Sequence, residues 1–188
     1  GPGTGKTHTL TWRIAHRLKI LPPKKKILAV TFTNKAAQEM KDRLFQMTQF
    51  SDDALFVGTF HSFCLAFLQN HRTLAGLPEN FRVASPDEID ALAKQLWPEM
   101  KRGARGDRLA RIVNFKSGDF WADPPDEVVR YDAALHGQGL LDFDDLIVEA
   151  ARLLEKNKSL CHDLQAAWHD VFVDEYQDIN PAQCRLLK

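Results

Sequence analysis

Apolar residues recur at helical spacing early in the chain, where Leu10, Ile14 and Leu18 fall on one face. The pattern predicts a helix over Lys6 to about Lys19, ended by Pro22-Pro23. Ile27-Leu28-Ala29-Val30-Thr31-Phe32 is then a nearly continuous apolar run, suited to a strand buried on both faces of a parallel sheet. The period changes at Thr33-Asn34-Lys35, after which Ala36, Ala37, Met40, Leu44 and Met47 return to helical spacing. Leu55-Phe56-Val57-Gly58-Thr59 reads as a second strand, and Phe63, Phe67 and Leu68 begin another helical stripe after His61-Ser62. The unit repeats as strand, loop, helix.

Further along, Phe81 to Ala84 predicts a short strand, and Ser85-Pro86-Asp87-Glu88 is a capping box that starts a helix. Residues 101–116 hold a basic patch of Lys101, Arg102, Arg105, Arg108, Arg111 and Lys116 against Asp107. Asp123-Pro124-Pro125-Asp126 marks a break, Tyr131 to Leu135 belongs on a helix, and Gly137-Gln138-Gly139 turns the chain. Asp142 caps a helix through Ile147, Ala151 and Leu154. Val171-Phe172-Val173 is read as a buried strand that delivers Asp174-Glu175-Tyr176-Gln177-Asp178 at its C-terminal end. Alternating strands and helices predict an α/β fold with a parallel sheet flanked by helices and ligands at the strand C-termini.

With 44% hydrophobic and 27% charged residues in 188, the chain has the make-up of a globular domain with a real core, and disorder is excluded as its main state. The net charge of zero argues against a uniformly basic nucleic-acid coat. It hides an asymmetry, since residues 1–116 hold 19 basic and 10 acidic side chains and the remainder 6 and 15. An anionic partner is expected to meet the first part. Cys64, Cys161 and Cys184 are odd in number and widely spaced, which fits a reducing, cytoplasmic setting better than a disulfide or zinc framework. No apolar stretch approaches the ~20 residues that span a bilayer.

The candidate chemistry begins at the first residue. Gly1-Pro2-Gly3-Thr4-Gly5-Lys6-Thr7 fills a phosphate-binding loop from its second place onward, so the natural protein is expected to begin upstream, with the first glycine and the strand that feeds the loop. Gly1, Gly3 and Gly5 let backbone N–H groups turn toward phosphates at a helix N-terminus. Lys6 would reach the outer phosphates and the Thr7 hydroxyl would ligate Mg²⁺. Downstream, an apolar strand ending in Asp174-Glu175 supplies the complementary pair expected of a nucleotide hydrolase: Asp174 to hold Mg²⁺, Glu175 to orient and deprotonate water for in-line attack on the γ-phosphate.

Four segments in order, GPGTGKT (1–7), AVTFTNKAAQEM (29–40), VGTFHSF (57–63) and VDEYQDIN (173–180), resemble motifs I, Ia, Ib and II of the Rep/PcrA/UvrD family of superfamily 1 DNA helicases. LDFDDLI (141–147) resembles the family's return into the core. The resemblance implies the first RecA-like, P-loop domain of an ATP-driven motor that moves 3′ to 5′ along single-stranded DNA and unwinds at junctions with duplex, in repair or replication. It places Gly1, Pro2, Gly3, Thr4, Gly5, Lys6, Thr7 and His8 around the nucleotide, with His8 standing where many members have Arg. Lys6, Asp174, Glu175 and Gln177 become the catalytic set, and Thr7 and Asp174 the Mg²⁺ ligands. Thr31, Phe32, Thr33, Asn34, Thr59, Phe60, His61 and Ser62 become the DNA floor.

It also implies a domain order of 1–84 and 140–188 in the RecA-like fold, with 85–139 as a helical insertion near DNA. Motifs III to VI, the upstream adenine-reading glutamine and a second RecA-like domain of the same full-length chain complete the family pattern, so these 188 residues by themselves are expected to be inactive, and without the central strand that feeds the phosphate loop they are expected to be poorly stable. On the residues alone, Phe32 and Phe60 stack on bases or pack in the core, and His61 meets DNA or a backbone carbonyl. Gln177 and Asp178 couple the two sites, as in the family, or cap the next helix. The basic patch touches phosphate or is a solvated helix face, and Lys24-Lys25-Lys26 reads as a solvated turn. Other readings are the motor of a helicase-nuclease, a protein-stripping DNA-dependent ATPase, and a non-catalytic DNA-binding module.

Overall fold

The computed structural model describes residues 6–48, 50, 53–118 and 120–187, with the Lys6 side chain outside the description. These residues form two compact units, one up to Phe63 together with Leu154–Ile179, the other of Cys64–Leu153 with the residues from Asn180 on. Helices α3 (Phe60–Asn70) and α8 (Phe143–Lys156) each cross the boundary.

The first unit is an α/β layer. Its strands β1 (Lys26–Thr31), β2 (Leu55–Thr59) and β5 (Trp168–Val173) lie in the order β2-β1-β5, all parallel. Central β1 is buried from Ile27 to Thr31, as a strand covered on both faces must be. Helices α1 (Lys6–Lys19) and α2 (Asn34–Met47) supply the cover: Ile14 and Ala15 meet Met40 and Leu44 over Ile27, Ala29 and Leu55. Thr33 starts α2 by accepting a hydrogen bond from the Ala36 N–H at 3.1 Å. Strand β5 differs from its expectation. It is longer, beginning at Trp168, and it is not buried: Val171 is 48% exposed.

Lys24-Lys25-Lys26 also departs from a simple solvated turn. Lys24 has a φ of 65°, Lys25 donates to the Ala166 carbonyl at 2.5 Å, and the Lys26 ammonium lies 6.0 Å from the Trp168 ring centre. Lys25 thereby satisfies a carbonyl in the last turn of α9 (Lys158–Ala167), a helix the periodicity did not reveal. A short 3₁₀ turn, Tyr176–Asp178, follows β5.

The second unit is mainly helical: α4 (Arg72–Ala75), α5 (Pro86–Leu96), α6 (Arg102–Ser117), α7 (Asp126–His136) and α10 (Pro181–Leu186) accompany a two-stranded parallel ribbon of β3 (Arg82–Val83) and β4 (Leu140–Leu141). Its core gathers Leu92, Trp97, Ile112, Val128, Tyr131 and Leu135. The capping box at Ser85 is present, with Glu88 also bound by Arg82 at 2.8 and 2.5 Å. Hydrogen bonding to Arg82 and then to the Ser85 N–H draws the Glu88 carboxyl down to about 2. The basic patch does not survive as one surface. Lys116 is buried against Asp132, Asp142 and Asp145, Arg108 and Arg111 both pair with Glu127, and Arg105 turns to the Met100 carbonyl.

One glycine is fixed by close approach. A Cβ on Gly58 would stand 2.5 Å from the Ser62 hydroxyl and 2.7 Å from the Phe56 ring. Ser62 cannot step aside freely, because its Oγ accepts from the Thr59 N–H at 2.8 Å and donates to the Thr59 carbonyl at 2.9 Å. Gly58→Ala should therefore cost about 1–3 kcal/mol, the range for overpacking, read as a lower urea midpoint at unchanged slope. An unmoved midpoint would show that Ser62 and Phe56 yield without cost.

Candidate nucleotide and nucleic-acid site

Because β1, β2 and β5 are parallel, their C-terminal ends open on one edge of the first unit's sheet. Thr31 and Thr59 are register partners there, and the Asp174 N–H donates to the Val30 carbonyl at 2.9 Å. The carboxylates after β5 thus stand beside the loop after β1, as crossover topology dictates.

Helix α1 brings the other half. The Thr7 hydroxyl, in its first turn, lies 3.4 Å from an Asp174 carboxylate oxygen, although 167 residues separate them in sequence. A hydroxyl and a carboxylate converging in this way are hard oxygen donors of the kind Mg²⁺ takes, so the residues present fit that ion. Thr11 is buried in the same helix and donates to the Thr7 carbonyl at 2.7 Å. His8 is exposed, and its Nε2 accepts from Trp12 Nε1 at 3.1 Å. Gly1, Pro2, Gly3, Thr4, Gly5 and the Lys6 side chain lie outside the described residues.

Beyond Asp174 the backbone reverses. Glu175 has φ 49° and ψ 47°, the left-handed region that costs a non-glycine residue about 1–3 kcal/mol and that clusters at functional sites. Its N–H donates to Asp174 Oδ1 at 3.1 Å, and Gln177 Nε2 donates to its carboxylate. Gln177 also lies 3.5 Å from Asp178, so the expected catalytic cluster Asp174, Glu175 and Gln177 is joined in one short turn.

The eight candidate DNA contacts divide by exposure. Thr31 is buried, its hydroxyl donating to the Thr33 carbonyl at 3.0 Å, and Thr33 caps α2, with Asn34 exposed beside it. Thr59, the last residue of β2, and Ser62, in the first turn of α3, bond each other reciprocally. Phe60 is only 2% exposed and packs edge-on against Phe32 at 6.5 Å, whereas Phe32 itself is 39% exposed. His61 is half-buried, and that burial lowers its pKa.

Sequence reading missed one ion pair in this unit. Arg17 Nε and an Nη bind the two carboxylate oxygens of Asp170, both at 2.9 Å, and the hydrogen bond to Asp170 raises the Arg17 pKa. Only the opposed directions of α1 and β5 bring these residues together, so no local spacing announces them.

A parallel α/β sheet with a helix opening on Lys6-Thr7 and an Asp-Glu pair at the end of a neighbouring strand defines a RecA-like nucleotide-binding domain. Its family is specific. The model for the UvrD/REP helicase N-terminal domain matches residues 1–188, and the chain belongs to that family. It is 33% identical over 207 residues to the ATP-dependent DNA helicase PcrA of Staphylococcus epidermidis, covering 100% of this chain and 28% of that protein. PcrA of Staphylococcus aureus is 32% identical over 207 residues with the same coverage. A probable DNA helicase II homolog of Mycoplasma capricolum is 32% identical over 213 residues, covering 100% of this chain and 29% of that protein. The chain therefore spans under a third of the length of the curated relatives it matches. Among the described residues, no helix is long and apolar enough to cross a membrane.

Proposed function

We propose that this chain is the ATP-binding motor domain of an ATP-dependent DNA helicase or translocase. The observation that carries the reading is Thr7 meeting Asp174, which joins the helix of the phosphate loop to the acidic end of β5. On this reading Gly1 to Thr7 hold the phosphates of ATP, Thr7 and Asp174 hold Mg²⁺, and Glu175 takes a proton from the attacking water with Gln177 orienting it. The bound Mg²⁺ would neutralise charge developing on the phosphates. The loops after β1 and β2 form the floor for single-stranded DNA, with movement 3′ to 5′, and a second RecA-like domain of the full-length chain closes over the nucleotide. Residues 85–139 act as a helical insertion near single-strand/duplex junctions, and the protein works in the cytoplasm.

Within the floor, the division of work we propose follows exposure. Phe32 is the aromatic face open for a base, with Phe60 buttressing its edge, and Asn34 and His61 offer polar groups to the sugar-phosphate backbone. Thr31, Thr33, Thr59 and Ser62 hold the loops in shape. The test is steady-state ATP hydrolysis by the full-length parent with and without oligothymidine. Strong stimulation is expected, and Phe32→Ala should weaken the DNA affinity behind it by about 5–150-fold, the equivalent of ~1–3 kcal/mol for one stacked base, while basal hydrolysis stays the same. Hydrolysis indifferent to DNA would break the helicase reading, and full stimulation in Phe32→Ala would return that ring to a packing role.

A further inference from the structure

We infer that Arg17 and Asp170 are positioning residues that set the spacing between the Thr7 hydroxyl and the Asp174 carboxylate. The inference rests on the nucleotide-site reading above and adds to it two residues that lie outside the phosphate loop and the Asp-Glu turn.

The geometry is that of a helix fastened to a strand at two points. Thr7 meets Asp174 at one end of α1, and Arg17 grips Asp170 through two parallel hydrogen bonds at the other. From residue 7 to 17 a helix advances about 15 Å, and from 170 to 174 a strand advances about 13 Å. The spans nearly match and run in opposite senses, so closing one contact brings the other within reach. Between them α1 packs on the sheet through apolar side chains: Ile14 and Ala15 sit in the core with Ile27 and Ala29, and Leu10, Leu18 and Phe172 pack around them. Such packing holds a helix down without fixing its position along its own axis, because burial is not directional. A planar guanidinium on two carboxylate oxygens is directional.

The pair is part-buried, with the Arg17 and Asp170 side chains 33% and 22% exposed, and its bidentate geometry adds some stability to what is otherwise a modest contribution for an ion pair near the surface. Their distinctive property is register. A slide of α1 along its axis would alter the separation of the Thr7 and Asp174 oxygens that would hold Mg²⁺, an ion strict about the placing of its oxygen ligands.

The experiment uses the full-length parent and the variants Asp170→Asn and Arg17→Lys, the second keeping the charge but losing the fork. Mn²⁺ replaces Mg²⁺ as an EPR-visible probe, titrated with a non-hydrolysable ATP analogue present, alongside Mg²⁺ half-saturation of hydrolysis and thermal midpoints. The expected result is Mn²⁺ affinity about tenfold weaker in Asp170→Asn, at the lower end of what partners outside the ligand shell contribute, with an intermediate loss in Arg17→Lys and little change in midpoint. Analogue binding without metal should be unaltered. Wild-type Mn²⁺ affinity in both variants would overturn the inference and leave the site reading standing. Absence of analogue-dependent Mn²⁺ binding in the unmutated parent would overturn both. Should Asp170→Asn not fold, Arg17→Lys alone decides, since it preserves the ion pair's charge.

Discussion

In the full-length parent, Glu175→Gln is expected to slow ATP hydrolysis by about 10²–10⁴-fold, the usual contribution of a positioned general base, while ATP remains bound. The substitution keeps the volume of the side chain and removes only its ability to take a proton. The turn should persist, because the bonds that shape it do not use the Glu175 side chain: the Asp174 N–H donates to the Val30 carbonyl and the Glu175 N–H to the Asp174 carboxylate. Gln177 can still donate to the new amide's carbonyl oxygen in place of the carboxylate. Lys6→Ala makes the contrast, since loss of a cation at the outer phosphates should weaken binding as well as turnover. Single-turnover hydrolysis together with nucleotide titration separates the two. If both variants lost binding equally, the division between a phosphate-holding Lys6 and a water-activating Glu175 would fall.

The parts of this site that were legible in sequence are those where one local rule decides. The run Ile27 to Phe32 reads as a doubly covered strand, and Ile27 to Thr31 form one, with Phe32 just past its end and exposed; Thr33 marks the start of α2 because its hydroxyl caps the helix. Likewise Ser85-Pro86-Asp87-Glu88 carries its capping box in four consecutive residues. What was illegible depends on partners distant in sequence. Arg17 and Asp170 are 153 residues apart, and neither stands in a motif. Strand β5 looked fully buried because Val171-Phe172-Val173 is apolar, yet it pairs on one side with β1 and leaves Val171 open among the described residues. Helix α9 buries none of its residues, so no apolar stripe announced it. Lys116 reads as one of the basic side chains beside it because its partners Asp142 and Asp145 lie 26 and 29 residues on.

That burial makes Lys116 the position where one substitution should cost most stability. Its ammonium lies 2.7, 2.8 and 2.6 Å from Asp132, Asp142 and Asp145, and 5.0 Å from the centre of the Tyr131 ring, with 2% of the side chain exposed. It ties α6 to α7 and to the start of α8, where Asp142 and Asp145 also cap each other's N–H groups at 2.8 and 3.0 Å. Burial alone would lower the Lys116 pKa, but the carboxylates of Asp145, Asp142 and Asp132 reverse that and raise it. Asp145 is pushed up by burial and pulled down further by His136 and Lys116, to about 2. A depressed carboxyl stabilises the fold above its unfolded pKa and loses that contribution only as pH falls through the folded value, so in the native chain Asp145 keeps its share down to strongly acid pH. His136, raised on balance by Asp145 against the opposing effect of burial, contributes fully below its unfolded pKa and less as pH rises through the folded one.

Lys116→Met keeps the length of the stem and deletes the charge. Breaking a buried pair from one side costs about 3–5 kcal/mol, and here three carboxylates lose one cation, with His136 at 3.1 Å from Asp145 as the nearby group able to compensate. The helical unit should therefore unfold at a markedly lower urea concentration, and its amides should exchange hydrogen faster than those of β1. The pH dependence identifies the cause. Stranded carboxylates take up protons more readily, so the deficit of the variant against the native chain should narrow as pH drops from about 7 to about 5. A deficit of the same size at both pH values would mean that Lys116 matters through the packing of its buried stem, and that its charge is incidental.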